Sequence, residues 1–75
     1  MNMYYLKSID KNGKVAQVIH FESQKDTAEL IGITPETLSR ILSGRVGTTK
    51  MTAYCITKAF DPEGEILDYF TYERE

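Results

Sequence analysis

No stretch of this chain restricts its possible folds more than TAELIGITPETLSRI, residues 27–41. Ala28 and Gly32 are four residues apart, apolar Ile33 follows directly, and apolar residues return at Leu38 and Ile41. A small residue lets two helices cross closely, a glycine accepts the turn between them, and apolar residues fill the angle that they enclose. The spacing therefore predicts two short helices joined by a tight turn.

Capping residues predict where these two helices begin and end. Ser23 can cap the first helix, with Asp26 at the third position, near the positive end of the helix dipole. Gly32 permits the left-handed conformation that stops this helix. Thr34 then supplies a hydroxyl cap, and Pro35 stands at the first helical position, where its missing N–H costs nothing. We expect a second helix of about two turns from there.

The amino-terminal segment predicts a β-hairpin over residues 4–21. Its two β-branched and aromatic runs, MYYLKSI and VAQVIHF, are separated by DKNGK, in which Asn12-Gly13 supplies the positive φ of a tight turn. We favour a three-residue loop that sets Asp10 opposite Lys14, because a two-residue loop would set two lysines opposite each other. A short helix over residues 15–22 is the alternative to the second strand.

The carboxyl-terminal third predicts two further helices. TTKMTAYCITKAF is expected to be a core helix, and DPEGEILDYF repeats the start signal with Asp61 as cap and Pro62 at the first position, although Gly64 weakens it. TYERE is expected to be a frayed tail. The side chains expected to face the core are Met51, Tyr54, Cys55, Ile56, Ala59 and Phe60 in the first helix, and Ile66, Leu67, Tyr69 and Phe70 in the second.

These segments together predict a mainly α fold. It is a small helix-turn-helix domain of about four helices preceded by an N-terminal β-hairpin. The chain of 75 residues is expected to be one domain, because it is too short for a second core. Within residues 1–75 we expect the hairpin at residues 4–21, the helix-turn-helix at residues 24–43 and the C-terminal helices at residues 49–70.

Composition argues against several functional classes. A single cysteine cannot form an internal disulfide, and with a single histidine it cannot build a zinc site, so we expect no metal and no other cofactor. No apolar run approaches a membrane span and no signal peptide is recognisable, which predicts a cytoplasmic protein with no membrane partner. No pair of residues suggests a nucleophile and its base, so we expect neither an enzyme nor a small-molecule substrate.

The charges are unevenly distributed along the chain. The net charge is −2. From residue 37 to residue 50 the only charged residues are Arg40, Arg45 and Lys50, whereas residues 51–75 hold six acids and two basic residues. The distribution predicts one basic segment on an otherwise acidic domain.

Six residues of the helix-turn-helix segment match a known pattern without a gap: Gln24, Ala28, Gly32, Ile33, Leu38 and Ile41. In these positions the chain resembles the phage repressor and Cro family of DNA-binding transcriptional regulators, and the match extends weakly through LSGR to DYF. The resemblance implies that the second helix is a recognition helix, which lies in the major groove of double-stranded DNA with its N-terminal part toward the base edges.

The resemblance also implies which residues contact DNA. Arg40 is the best candidate for reading a base, because its planar guanidinium matches guanine O6 and N7. Gln24, at the start of the first helix, would meet a phosphate. The outward positions of the recognition helix are Thr34, Pro35, Glu36, Thr37, Ser39, Arg40 and Ser43, and the loop suited to phosphate contact contributes Arg45, Thr48, Thr49 and Lys50.

The chain departs from the family at its front, where members usually begin with a helix and this chain has the predicted hairpin. Leu30 is apolar where the family more often has a polar residue, which suggests that the hairpin or a second subunit covers it. We therefore expect a homodimer. The expected function is a sequence-specific transcriptional regulator, a repressor of the phage or mobile-element type that acts by occupying its operator. The alternative is a protein-binding modulator or antirepressor with the same fold.

Overall fold

The computed structural model describes residues 2–7, 12–13 and 19–74, and in them helices dominate. A first strand and a last strand enclose four helices, which confirms a mainly α helix-turn-helix domain. In chain order the elements are β1 (Asn2–Leu6), α1 (Gln24–Ile31), α2 (Pro35–Leu42), α3 (Lys50–Phe60), α4 (Ile66–Tyr69) and β2 (Phe70–Arg74).

The turn between α1 and α2 has the predicted geometry. Gly32 has a φ of +94° and ends α1, and its N–H and that of Ile33 both donate to the carbonyl of Ala28, at 2.8 and 2.9 Å. Ala28 is fully buried, as the close approach of the two helices requires. At the other end of α1, the Ser23 hydroxyl accepts the Asp26 N–H at 3.2 Å, which confirms the predicted cap.

The start of α2 and its buried face also follow the sequence. The Thr34 hydroxyl accepts the N–H of Thr37 at 3.1 Å, and Pro35 occupies the first helical position. Leu38 and Ile41 are buried in the core, as predicted, together with Leu42. The opposite side of α2 is consequently directed to solvent.

The first strand has a different partner from the one that the sequence suggested. β1 pairs antiparallel with β2, from Asn2 opposite Arg74 to Leu6 opposite Phe70, so the prediction of a frayed tail was wrong. Most of the expected second strand, residues 14–18, and the Asp10–Lys14 pair lie outside the described residues. Residues 19–21 are described and are not in a strand, while Asn12-Gly13 is a turn in which Gly13 has a φ of +81°.

The inward face of α3 was predicted only in part. Ile56 is fully buried as expected, but the other buried residues of this helix are Ala53 and Thr57. Met51 is 72% exposed and Tyr54 49% exposed, so both point away from the core in which they were predicted. The core itself joins all the helices and the sheet; its buried apolar residues are Ile19, Ala28, Leu38, Ile41, Leu42, Ala53, Ile56, Tyr69 and Phe70.

The last helix begins later than predicted. Asp61 is the C-cap of α3, and its carboxylate accepts the Tyr69 hydroxyl at 2.8 Å, so it tethers α4 and does not start it. The N-cap of α4 is Glu65, which forms a capping box with Asp68. Gly64 lies in the turn before α4 and does not weaken the helix. Tyr69 is buried as expected, whereas Leu67 is 59% exposed, contrary to the prediction.

Candidate nucleic-acid interface

The outward side of α2 forms an exposed ridge, which we define by the seven residues that the sequence predicted to face DNA. All seven are solvent-exposed; they are Thr34, Pro35, Glu36, Thr37, Ser39, Arg40 and Ser43. The ridge exists because Leu38 and Ile41 are anchored in the core on the other side of the same helix. Its Cα trace is a two-turn helix, which is of a size that the major groove admits.

The side chains of the ridge differ in how far they are already engaged. The Thr34 hydroxyl donates to the Thr37 hydroxyl at 2.8 Å, and the Ser43 hydroxyl donates to the carbonyl of Arg40 at 2.7 Å. In the part of the chain that the structure describes, the guanidinium of Arg40 has no carboxylate partner, and Ser39 has no side-chain hydrogen bond. Arg40 therefore keeps its full set of donors for a ligand.

The start of α1 offers a second polar point, at the opposite end of this helix from the turn. Gln24 is the first residue of this helix and is half-buried, and it follows the capping residue Ser23. The free N–H groups of a helix start attract anions such as phosphate. Gln24 thus lies at the kind of position that the resemblance implied for it.

The loop between α2 and α3 and the first residue of α3 provide two further basic side chains. Arg45 and Lys50 are exposed, and Lys50 is the first residue of α3. The hydroxyl of Thr49 caps α3 by accepting the Thr52 N–H at 3.3 Å, and Thr49 is itself exposed. Three polar residues predicted in this loop are therefore available at the surface.

Thr48 is the exception among the predicted site residues. It is only 7% exposed, so its side chain is not offered to a phosphate and we remove it from the candidate site. Its role is structural, because its N–H and carbonyl each bond to the backbone of Tyr4 at 2.8 Å. This bridge attaches the basic loop to β1.

Gly47 is a residue of this region that the sequence analysis missed. A Cβ atom on Gly47 would lie 2.8 Å from Cζ of Tyr5 and 2.9 Å from Cβ of Met3, closer than unbonded carbon atoms normally approach. The absence of a side chain thus lets the loop lie directly against β1. A glycine between Val46 and Thr48 gives no local sign of such a contact, which depends on a strand more than forty residues away.

We expect Gly47→Ala to lower the free energy of unfolding by about 1 kcal/mol, since overpacking a close contact typically has a cost of this order. The tip of the Tyr5 ring can move aside, but the Met3 Cβ is fixed to its strand. Chemical unfolding followed by circular dichroism measures the change, with the exposed substitution Ser39→Ala as the control. Equal stability of Gly47→Ala and the unsubstituted chain would contradict the contact.

Residues 2–7, 12–13 and 19–74 contain neither a metal-ion cluster nor a membrane-spanning helix. No group of three or more His, Cys, Asp or Glu side chains there could hold a metal ion. None of the helices in those ranges has the length and apolar character needed to cross a membrane.

Comparison with known proteins agrees with this geometry. Residues 23–63, more than half of the chain, match the family described as helix-turn-helix. No curated protein and no solved structure matches the chain. The matched region contains α1, the turn at Gly32, α2, the basic loop and α3. The chain therefore belongs to the helix-turn-helix family of DNA-binding transcription regulators, of the phage repressor and Cro type.

Proposed function

We propose that the protein is a cytoplasmic, sequence-specific repressor of the phage or mobile-element type, which acts by occupying its operator. The single observation that supports this most is the exposed ridge of α2, which has an unpaired Arg40 at its surface and a basic loop at its end. An exposed recognition helix reads base edges, and an adjoining basic loop holds the phosphates that fix its register.

In this proposal the residues divide into two groups by what they contact. Arg40 reads a guanine with its two parallel N–H donors, and Ser39 and Glu36 lie on the same ridge within the same helix. Glu36 can accept from a cytosine amine, and it also interacts favourably with the positive end of α2. The phosphate contacts come from Gln24, Thr34, Thr37, Ser43, Arg45, Thr49 and Lys50, with Pro35 packing against the sugar-phosphate backbone.

We further propose that two copies bind a short symmetric operator. A single ridge of two helical turns reads few base pairs, and a homodimer doubles the contacts by presenting two recognition helices one DNA turn apart. In this proposal the dimer represses by occlusion, since bound dimer and RNA polymerase compete for the same DNA. No ligand is required for this mode of action.

A fluorescence anisotropy titration tests the proposal. Labelled duplexes, one set of mixed sequence and one enriched from a random-sequence library by binding to the protein, are titrated at several salt concentrations. Affinity is expected to fall steeply with salt, because bound cationic side chains release counterions from the DNA. If no duplex binds at moderate salt and a pull-down recovers another protein instead, the proposal fails and the chain is a protein-binding modulator.

The basic loop gives this titration a residue-level prediction. Arg45→Gln and Lys50→Gln are each expected to weaken binding to all duplexes alike and to reduce the salt slope by about one unit. Lys58→Gln is the matched control, because it removes the same charge but its ammonium is bonded to the carbonyls of Pro62 and Gly64. A salt slope that changes with Lys58→Gln as much as with Arg45→Gln would mean that total charge, not the loop, determines binding.

A further inference from the structure

Three exposed apolar side chains line one surface where α3, α4 and the sheet meet. Tyr54 and Leu67 line a groove of about 490 Å³, and Tyr4 forms its wall on the side of the sheet. Beside it, Tyr54 and Met51 line a second depression of about 530 Å³. We call these two adjoining hollows the α3 groove. Met51, Tyr54 and Leu67 are exposed there, although large apolar side chains grouped on a surface favour burial.

Two lysines lie at the ends of one side of this groove. Lys50, Tyr54 and Lys58 follow one another at intervals of four residues, so they form a stripe about 12 Å long on one face of α3. The Lys58 ammonium lies 5.5 Å from the centre of the Tyr54 ring and donates to the carbonyls of Pro62 and Gly64. Within the described residues neither lysine has a carboxylate partner. The stripe is therefore apolar at its centre and cationic at both ends.

The acidic residue that lines the groove does not cancel these charges. Glu65 is the N-cap of α4, where it forms a capping box with Asp68. One carboxylate stands against two ammonium groups, so the groove is positive on a chain whose net charge is −2. A positive surface of this kind attracts a partner that carries carboxylates.

The backbone around the groove favours a helical occupant. Tyr4 already uses its N–H and its carbonyl in bonds to the backbone of Thr48, both at 2.8 Å. The longest wall is α3, a helix that bonds its backbone internally. An extended segment would find no backbone partners on these two walls. A helix satisfies its own backbone groups and offers an apolar face to a groove.

We infer that the α3 groove is the docking site for an acidic amphipathic helix of another protein. Apolar side chains on one face of that helix pack on Met51, Tyr54 and Leu67. Carboxylates that flank the same face pair with Lys50 and Lys58. Because the lysines are about two helical turns apart along α3, carboxylates about two turns apart on the partner match them.

A second copy of this chain is a poorer occupant. A two-fold contact of the groove with itself would place the same lysines on both sides. Its only acidic lining residue, Glu65, is already engaged in capping α4. Such a contact would therefore bury like charges with little compensation, which disfavours association.

Occupation of the groove has a consequence for DNA binding, and this part of the inference rests on the proposed function. Lys50 lies in the groove and is also one of the proposed phosphate contacts. A carboxylate paired with its ammonium neutralises this contact and repels the nearby phosphates. A bound acidic helix is therefore expected to weaken binding to every duplex, so that the groove is a site at which repression is relieved.

Designed helices test the groove in the absence of DNA. Three labelled, hydrocarbon-stapled peptides share one face of leucines and differ only at the flanking positions, which are glutamate, glutamine or lysine. In anisotropy titrations with the unsubstituted chain, the glutamate peptide is expected to bind at least roughly tenfold more tightly than the glutamine peptide, and the lysine peptide more weakly still. Failure of the glutamate peptide to bind, or equal affinity of the three peptides, would overturn the inference.

Substitutions locate the bound peptide on the chain. Leu67→Ser and Lys50→Gln are each expected to raise the dissociation constant of the glutamate peptide at least roughly fivefold. The matched controls are Leu30→Ser and Lys25→Gln, which replace exposed residues of the same types on α1 and are expected to change nothing. Circular dichroism verifies that all four variants fold. A control that weakens binding as much as its groove counterpart would place the peptide elsewhere and contradict the inference.

A competition titration separates the inference from the proposed function. With the glutamate peptide at saturation, the unsubstituted chain is expected to bind DNA at least roughly fivefold more weakly, whereas Leu67→Ser is expected to bind DNA equally with and without the peptide. Unchanged DNA binding by the saturated chain would overturn the relief of repression. A chain that binds the peptide as expected but binds no duplex would keep its docking site and lose only the DNA-binding function.

Sedimentation equilibrium distinguishes the partner helix from a second copy. The unsubstituted chain and Leu67→Ser are expected to have the same oligomeric state, because the groove does not join copies of this chain. If the unsubstituted chain is a dimer and Leu67→Ser dissociates it, the occupant of the groove is a second copy and the inference is wrong.

Discussion

A Leu38→Ala variant is expected to lose about 2–5 kcal/mol of unfolding free energy, the range measured when a large buried aliphatic side chain is cut back to alanine. Leu38 is fully buried in the core, and it lies in the middle of α2. A domain of this size has about 5–15 kcal/mol in all, so the loss is a large part of its stability. The variant should be partly unfolded at physiological temperature.

Urea unfolding followed by circular dichroism measures this loss. Ser39→Ala is the matched control, because it truncates the adjacent residue on the exposed side of the same helix. Surface substitutions of this kind usually change stability by less than about 0.5 kcal/mol. Equal destabilisation by the two substitutions would mean that Leu38 and Ser39 do not lie on a buried and an exposed face of α2. The exposed ridge would then no longer support a role in DNA binding.

Arg40→Ala is expected to weaken binding to the enriched duplex by about 1–3 kcal/mol while leaving mixed-sequence binding much less affected. The reason is that a bidentate contact to guanine is lost only where the sequence offers that guanine. The side chain is exposed, so the variant should fold normally. Anisotropy on both kinds of duplex, at one fixed salt concentration, measures the difference.

Arg40→Lys separates base reading from simple charge. Lysine keeps the positive charge but lacks the planar pair of donors. The variant is expected to retain the salt slope and to lose most of the preference between duplexes. If Arg40→Lys bound the enriched duplex as tightly as the unsubstituted chain, or if Arg40→Ala weakened all duplexes equally, Arg40 would be a phosphate contact.

The helix-turn-helix could be predicted from the sequence because its signals are local. The hydroxyl of Thr34 caps a helix that begins one residue later, and Gly32 accepts a positive φ with the residues on either side of it. The spacing of Leu38 and Ile41 sets one face of one helix. Each of these effects acts within a few residues, so the local sequence is enough to predict the two helices and the turn between them.

The sheet could not be predicted in the same way, because it joins residues near opposite ends of the chain. The Asn12-Gly13 turn argued for a strand pair close in sequence, whereas Phe70–Arg74 ends in two charged residues and has no turn signal that points to β1. Strand residues that face solvent can be charged, so charged residues do not exclude a strand. Strand pairing uses backbone groups that nearly every residue has, so the side chains do not identify the partner strand. The structural roles of Gly47 and Thr48 were not predicted for the same reason, since both residues contact β1.

The errors in the C-terminal helices have a different cause. Asp61 followed by Pro62 has the composition of a helix start, but the Asp61 carboxylate is bonded to the Tyr69 hydroxyl, and this bond fixes a turn before α4. In α3 the apolar residues surround most of the helix, so periodicity did not decide which of them face inward. Small Ala53 and polar Thr57 are buried there because the neighbouring helices come close.

The position of Tyr4, held between Tyr72 on one side and Thr48 on the other, has a consequence for the order of events during protein synthesis. β1 is synthesised before the four helices, but it cannot pair until β2, the last strand described, has also been synthesised. Contacts between such distant segments form late in folding. A nascent chain that already has both helices of the motif therefore still lacks the closed sheet that holds β1 beside the loop, and gains it only once β2 has been synthesised.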